Sequence, residues 1–234
     1  MKNKIKKSCK KKKCISTLFS VLFVLFLFFP LSDLSAHVVN YELTSLSKAE
    51  TGWIYLQMGY THILPLGFDH VLFILGLFFL NPGLQSVIWQ ATAFTVAHSI
   101  TLGLAVFGFI HPVGTIIEPI IALSILYIAI ENILIKELKW WRILIVFAFG
   151  LIHGCGFASA LTEAGLPEKN YLLALLTFNL GVELGQIAVI LAAWLLIGKW
   201  FSDKIWYQSR IVFPLSGVIG CVALYWTIER AFFY

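Results

Sequence analysis

At 234 residues, with 59% hydrophobic and 12% charged side chains, the chain carries about half the charge of an ordinary soluble domain and reads as an integral membrane protein. Its formal charge of +5 comes from the lysine-rich opening MKNKIKKSCKKKKC; residues 37–234 alone are slightly acidic, which excludes a nucleic-acid-binding surface. Two of the four cysteines lie in that opening and the other two, Cys155 and Cys221, in apolar segments, which excludes a disulfide framework.

The basic opening is followed by an apolar run from Ile15 to Pro30 and by LSDLSA, the three parts of a secretory signal peptide. Residues 1–36 are therefore read as a signal cleaved after Ala36, which leaves His37 at a mature, external amino terminus. A mature amino-terminal histidine offers an amine and an imidazole, so His37 is a candidate for metal capture. Residues 37–60 are polar to amphipathic, and a short external segment on the membrane surface is expected there, with Trp53, Tyr55 and Tyr60 in an interfacial belt.

Residues 61–234 are expected to form an all-α membrane bundle. Six apolar stretches, near 62–80, 87–109, 115–135, 141–161, 171–198 and 210–229, are long enough at about 1.5 Å per residue to approach or cross about 30 Å of hydrocarbon. Short turn-bearing connections join them: NPGLQS, HPVGT, KELKWWR, EAGLPEKN and GKWFSDKIWYQSR. Lys136, Lys139, Arg142, Lys199, Lys204 and Arg210 fall on the cytoplasmic side in this arrangement, against Lys48, Lys169 and Arg230 outside, in keeping with the positive-inside rule.

The chemistry lies inside the spans. The first carries Asp69 and His70, the second His98, and the third Glu118, Ser124, Glu131 and Asn132. His153 is in the fourth, and Asn179, Glu183 and Gln186 are in the fifth at i, i+4 and i+7, on one helix face. Ionisable groups at such depth are expensive, face a bundle interior and mark sites or pathways. With no Lys or Arg expected inside a span, the carboxylates call for protons or a bound cation.

Counted from the outer span ends at about 1.5 Å per residue, Asp69 and His70 lie roughly 10 to 12 Å deep, His153 and Asn179 about 12 Å, His98 about 16 Å and Glu183 about 18 Å. Asp69, His70, His98, His153 and Glu183 are thus the expected metal ligands, with Asn179 supporting and Glu131 further along the path. Gly150 and Gly154, four apart, allow a close helix approach beside His153. Imidazole and carboxylate without a dedicated thiolate suit nickel, cobalt, zinc, copper or iron better than magnesium or calcium.

Plainer readings stand beside these. The whole set could be a structural polar network. His62 is either an interfacial residue or part of metal entry, His111 a loop residue, and Glu118 an anion favoured at a helix start. Glu131 with Asn132 is a second site, a gate or a solvated helix end. Cys155 is read as packing, and GCG is no phosphate loop because no strand precedes it.

The motifs GFDHVLF, AFTVAHSITL, EPIIALSILYIAIEN, FGLIHGCGFASAL and FNLGVELGQ, in this order, resemble the HupE/UreJ family. The resemblance implies a six-span permease of the bacterial inner membrane for nickel or cobalt, associated with hydrogenase and urease maturation proteins, behind a cleaved signal. It also implies functional roles for His62, Asp69, His70 and His153. The spacing from His62 to Asp69 is one residue longer than the family pattern, and Pro65 lies between them. Two readings from other classes remain: an intramembrane zinc hydrolase in which a carboxylate such as Glu183 activates water, and a membrane scaffold or sensor that binds metal without moving it.

Overall fold

Ser47 opens the first helix with a reciprocal cap. Its hydroxyl accepts from the Glu50 amide and the Glu50 carboxylate accepts from the Ser47 amide, which satisfies two of the donors a helix start leaves open. The computed structural model describes residues 47–135, 137–163 and 170–233, all of them within one compact unit, Asn40–Tyr234. The expected signal peptide and His37 lie outside the described residues.

Every regular element among the described residues is helical. The helices are α1 (Lys48–Ile63), α2 (Phe68–Leu80), α3 (Leu84–Val106), α4 (Gly114–Leu134), α5 (Arg142–Glu163), α6 (Tyr171–Ala193) and α7 (Phe213–Phe232). The wider turns Trp194–Gly198 and Gln208–Val212 extend α6 and precede α7.

α1 departs from expectation. A surface-lying segment was expected up to residue 60 and a span from 62, but the helix runs through both and buries Thr51, Tyr55, Gly59 and Ile63. Trp53 and Tyr60 are exposed as an interfacial belt requires, whereas Tyr55 is buried. The physical reason is the four-residue spacing of that buried face and the small residue in it. A Cβ on Gly59 would fall on the Phe178 carbonyl, and one on Gly181 would fall on the Leu56 carbonyl, so α1 and α6 touch backbone to backbone. Gly52 faces Thr177 and Ile63 faces Gly185, which makes the two helices parallel.

α1 ends at Leu64, whose extended backbone is the conformation a following proline imposes. After the Leu64–Gly67 break, α2 leaves at 66° to α1. Ten of its thirteen residues are buried, as befits a helix apolar all round. α2 touches α1, α3, α4, α6 and α7, while the most extensive contacts pair α3 with α5, α1 with α6 and α4 with α7. A Cβ on Gly150 would strike the Phe94 carbonyl and one on Gly154 the His98 carbonyl, so α3 and α5 are parallel and closely packed, the close approach that the glycine spacing predicts. Asn132 meets Ser216 and Glu118 meets Arg230, so α4 and α7 are antiparallel.

Four of the helical segments are long and apolar enough to cross a membrane: Leu84–Val106, Gly114–Leu134, Tyr171–Phe201 and Gln208–Phe232. The bent pair α1–α2 passes as a fifth, and Arg142–Ala158 is a shorter apolar helix. Large apolar side chains such as Leu123, Ile130, Leu176 and Tyr225 point outward, while His70, His98, Ser124, Asn132, His153 and Gln186 are buried. An apolar exterior around a polar interior suits lipid as the solvent.

Candidate metal centre

The α1–α2 break brings the end of one helix and the start of the next to the same point. His62, in the last turn of α1, and His70, in the first turn of α2, have ring centroids 4.7 Å apart. The kink therefore turns an eight-residue separation into a contact. His98 of α3 completes a group in which one ring nitrogen from each histidine lies within 4.8 Å of the others. Around an ion with metal–nitrogen bonds of about 2.1 Å, tetrahedral ligand atoms sit about 3.4 Å apart, so the nitrogens have at most about 1.4 Å to draw together to share one. His153 of α5 stands beside it, its ring 5.1 Å from that of His70.

Each of the four imidazoles has one buried nitrogen without a hydrogen-bond partner: Nε2 of His62, His70 and His98, and Nδ1 of His153. Two of the tautomers follow from the surroundings. Asn179 donates through Nδ2 to the Leu175 carbonyl, so its Oδ1 faces His98 Nδ1 at 3.4 Å and accepts the proton there. The His98 Nε2 lone pair is left open. Ser124 gives its one hydroxyl proton to the Ile121 carbonyl at 2.7 Å; its Oγ, 3.0 Å from His153 Nε2, therefore accepts from the ring and leaves His153 Nδ1 open. This is how outer partners commonly orient metal-binding histidines.

Phenyl rings pack against the imidazoles. Phe157 lies 3.9 Å from the His62 ring and stacks on Phe178, and Phe94 and Phe73 lie 4.9 and 5.5 Å from His153. Four imidazoles with open ring nitrogens are a borderline-soft donor set, matched to nickel, cobalt, zinc or copper and poor for calcium or magnesium.

The carboxylates are arranged otherwise than the sequence suggests. Arg230 of α7 bridges Asp69 at 2.9 Å and Glu118 at 3.0 Å, and Arg142, at the start of α5, pairs with Glu131 at 3.2 Å with both side chains buried. The expectation that no basic residue balances these groups is therefore corrected. Both arginines sit at span ends, and their long side chains reach inward to the carboxylates. Asp69 is held by a guanidinium beside the histidine group, Glu118 has a tertiary partner in addition to its place near a helix start, and Glu131 belongs to a structural layer. In that layer Arg142 Nη2 donates to Asn132 Oδ1, and Asn132 Nδ2 donates to the Gly76 carbonyl and to Ser216.

Asn179, Glu183 and Gln186 do share one face, turned to α3, where they meet His98, Thr92 and Thr95 respectively. Glu183 accepts from the Thr92 hydroxyl at 2.6 Å and is not in the histidine group. His111 is exposed, and Cys155 is a free, half-buried thiol. Arg142 and Arg230 are the site-region residues that sequence reasoning missed. Their signal was present: each lies within one turn of an apolar helix whose neighbours carry carboxylates at the same level.

Neither the curated proteins nor the solved structures include a match to this chain. A model of the family described as HupE / UreJ protein matches residues 36–230. That span takes in the His62–His70 kink, the His98 and His153 helix pair and Arg230, and on it the chain belongs to the HupE/UreJ family.

Proposed function

We propose that the protein is an inner-membrane permease that carries a divalent transition metal, nickel or cobalt, from the periplasm inward, supplying nickel-enzyme maturation proteins of the hydrogenase or urease type. The observation that carries this reading is the buried meeting of His62, His70 and His98, with ring nitrogens within 4.8 Å and no hydrogen-bond partner on Nε2. Family membership supports it. The bent α1–α2 pair as one span and α5 as another make six spans of alternating direction, in line with parallel α1 and α6, parallel α3 and α5, and antiparallel α4 and α7. A signal cleaved after Ala36 puts the mature amino end in the periplasm.

The zinc hydrolase reading places a carboxylate beside the metal to activate its bound water. Here Asp69 is engaged by Arg230 and Glu183 lies outside the histidine group, which favours transport. A permease must bind firmly enough to select and loosely enough to release. Proteoliposomes of the wild-type chain are expected to take up Ni2+ and Co2+ in mutual competition, with less uptake as external pH falls because protons compete for the imidazole nitrogens. His62→Ala, His70→Ala and His98→Ala should each abolish uptake at unchanged protein level. Zinc that co-purifies tightly, with no uptake of any divalent metal, is the result that overturns the proposal.

A further inference from the structure

Below the histidines, α3 and α6 are joined by a ladder of polar rungs. His98 Nδ1 meets Asn179 Oδ1, Thr95 Oγ meets the Gln186 amide at 3.1 Å, and Thr92 Oγ meets Glu183 at 2.6 Å. Residues 92, 95 and 98 are three apart on α3, and 179, 183 and 186 are four and three apart on α6, so the rungs form one continuous stripe on each helix. From His98 the stripe runs toward the α3 amino end, the face read as cytoplasmic.

Charge singles out one rung of this stripe. Asp69, Glu118 and Glu131 all have an arginine within 3.2 Å. Glu183 has no basic partner among the described residues, and its Oε2 is buried with no hydrogen-bond partner. The demand for a cation that the sequence placed on four carboxylates thus falls on Glu183. A second observation points the same way. Gln186 is fully buried, and in one orientation its Nε2 has no partner. Turned over, the amide donates to Thr95 Oγ, whose own proton goes to the Ala91 carbonyl 3.2 Å away, and Gln186 Oε1 becomes the open atom. Glu183 Oε2, the Thr92 hydroxyl bonded to the same carboxylate and Gln186 Oε1, one helical turn further along α6, then offer oxygen donors on the facing sides of α3 and α6.

We propose that Glu183, Gln186 and Thr92 form a second, all-oxygen cation station, at which the transported divalent metal rests after leaving the histidines. This rests on the histidine group being the first metal site. Nickel and cobalt hold oxygen ligands less firmly than imidazole, so the transfer goes from a selective site to a weaker one, and release becomes possible without a site that both grips and lets go.

The test is a Co2+ titration of the purified full-length protein in detergent, read by visible absorption and by equilibrium dialysis. Imidazole coordination of low symmetry gives intense bands, whereas hydrated oxygen coordination gives weak ones. The wild type is expected to saturate an intense first event and then bind a second ion with little added absorbance. Glu183→Gln, which keeps shape and can still bond Thr92, should retain the first event and lose the second up to about 1 mM Co2+, a loss in line with the dependence of oxygen sites on ligand charge. Thr92→Val should weaken the second event and Thr92→Ser restore it, and Glu183→Gln proteoliposomes should bind Co2+ without accumulating it. A second event unchanged in Glu183→Gln, or wild-type uptake by that variant, overturns the station and leaves the histidine site standing. Absence of intense bands in the wild type overturns both.

Discussion

Four histidines that each keep a nitrogen open need something to hold their rings, and at two of them Asn179 and Ser124 do so. Neither residue has a charge, and neither needs to touch the metal. Their role is to decide which ring nitrogen carries the proton. Asn179→Leu and Ser124→Ala should therefore lower Co2+ affinity by about 10- to 100-fold, the usual range for outer-shell partners, while the folded fraction of purified protein is unchanged. Equilibrium dialysis measures it, and Ser124→Thr, which restores the hydroxyl, should recover most of the loss. Equal affinity in Ser124→Ala and wild type would show that His153 is outside the binding set. The histidines and the helical spacing of the polar groups were legible in the sequence; the tautomers were not, because each depends on where a distant side chain spends its own proton.

At the scale of elements, the site depends on α1 pressing against α6, since this places His62 at the kink. The contact is made through glycine: a Cβ at Gly59 would meet the Phe178 backbone, whereas one at Gly103 meets nothing within 4 Å. Within lipid the hydrophobic effect does not drive helices together, so close backbone packing carries much of the association. Gly59→Leu should force α1 away, lower the thermal unfolding temperature in detergent and remove the intense Co2+ bands. Gly103→Ala should leave both unchanged, apart from a gain of up to about 1 kcal/mol from helix propensity. If Gly59→Leu kept the wild-type spectrum, α1 would not be positioning His62. The polar composition of residues 37–60 concealed this helix, because its buried face mixes Thr51 and Gly59 with Tyr55 and Ile63 and so shows no continuous apolar stripe.

The whole molecule is tied at two levels, by Arg230 between α2, α4 and α7 and by Arg142 between α4 and α5, with Asn132 extending the inner layer to α2 and α7. Arg142 is 1% exposed. Removing one partner of a buried pair strands the other and costs about 3 to 5 kcal/mol, whereas replacing both with apolar groups of similar volume is often neutral or stabilising. Arg142→Met is accordingly expected to lower thermal stability sharply, and Arg142→Met combined with Glu131→Leu to recover much of it. Unfolding of the purified variants checks this, and a double variant no better than the single one would show that the layer is held by more than the pair.

Composition and periodicity by themselves determined that this chain is an all-helical membrane protein and which helix faces carry its polar groups. They do so because lipid tolerates polar atoms only where something compels them, so each buried His, Asp or Glu stands out against an apolar background. Only the tertiary structure decided how the charges are shared. Asp69 and Glu131 read alike with Glu183 along the chain, yet two of them meet arginines from other helices and the third meets a threonine. Packing made the same kind of choice for His62, which the α1–α2 kink carries from a boundary position into the group with His70 and His98. Such pairings are set by which helices lie side by side, and hydropathy carries no record of that.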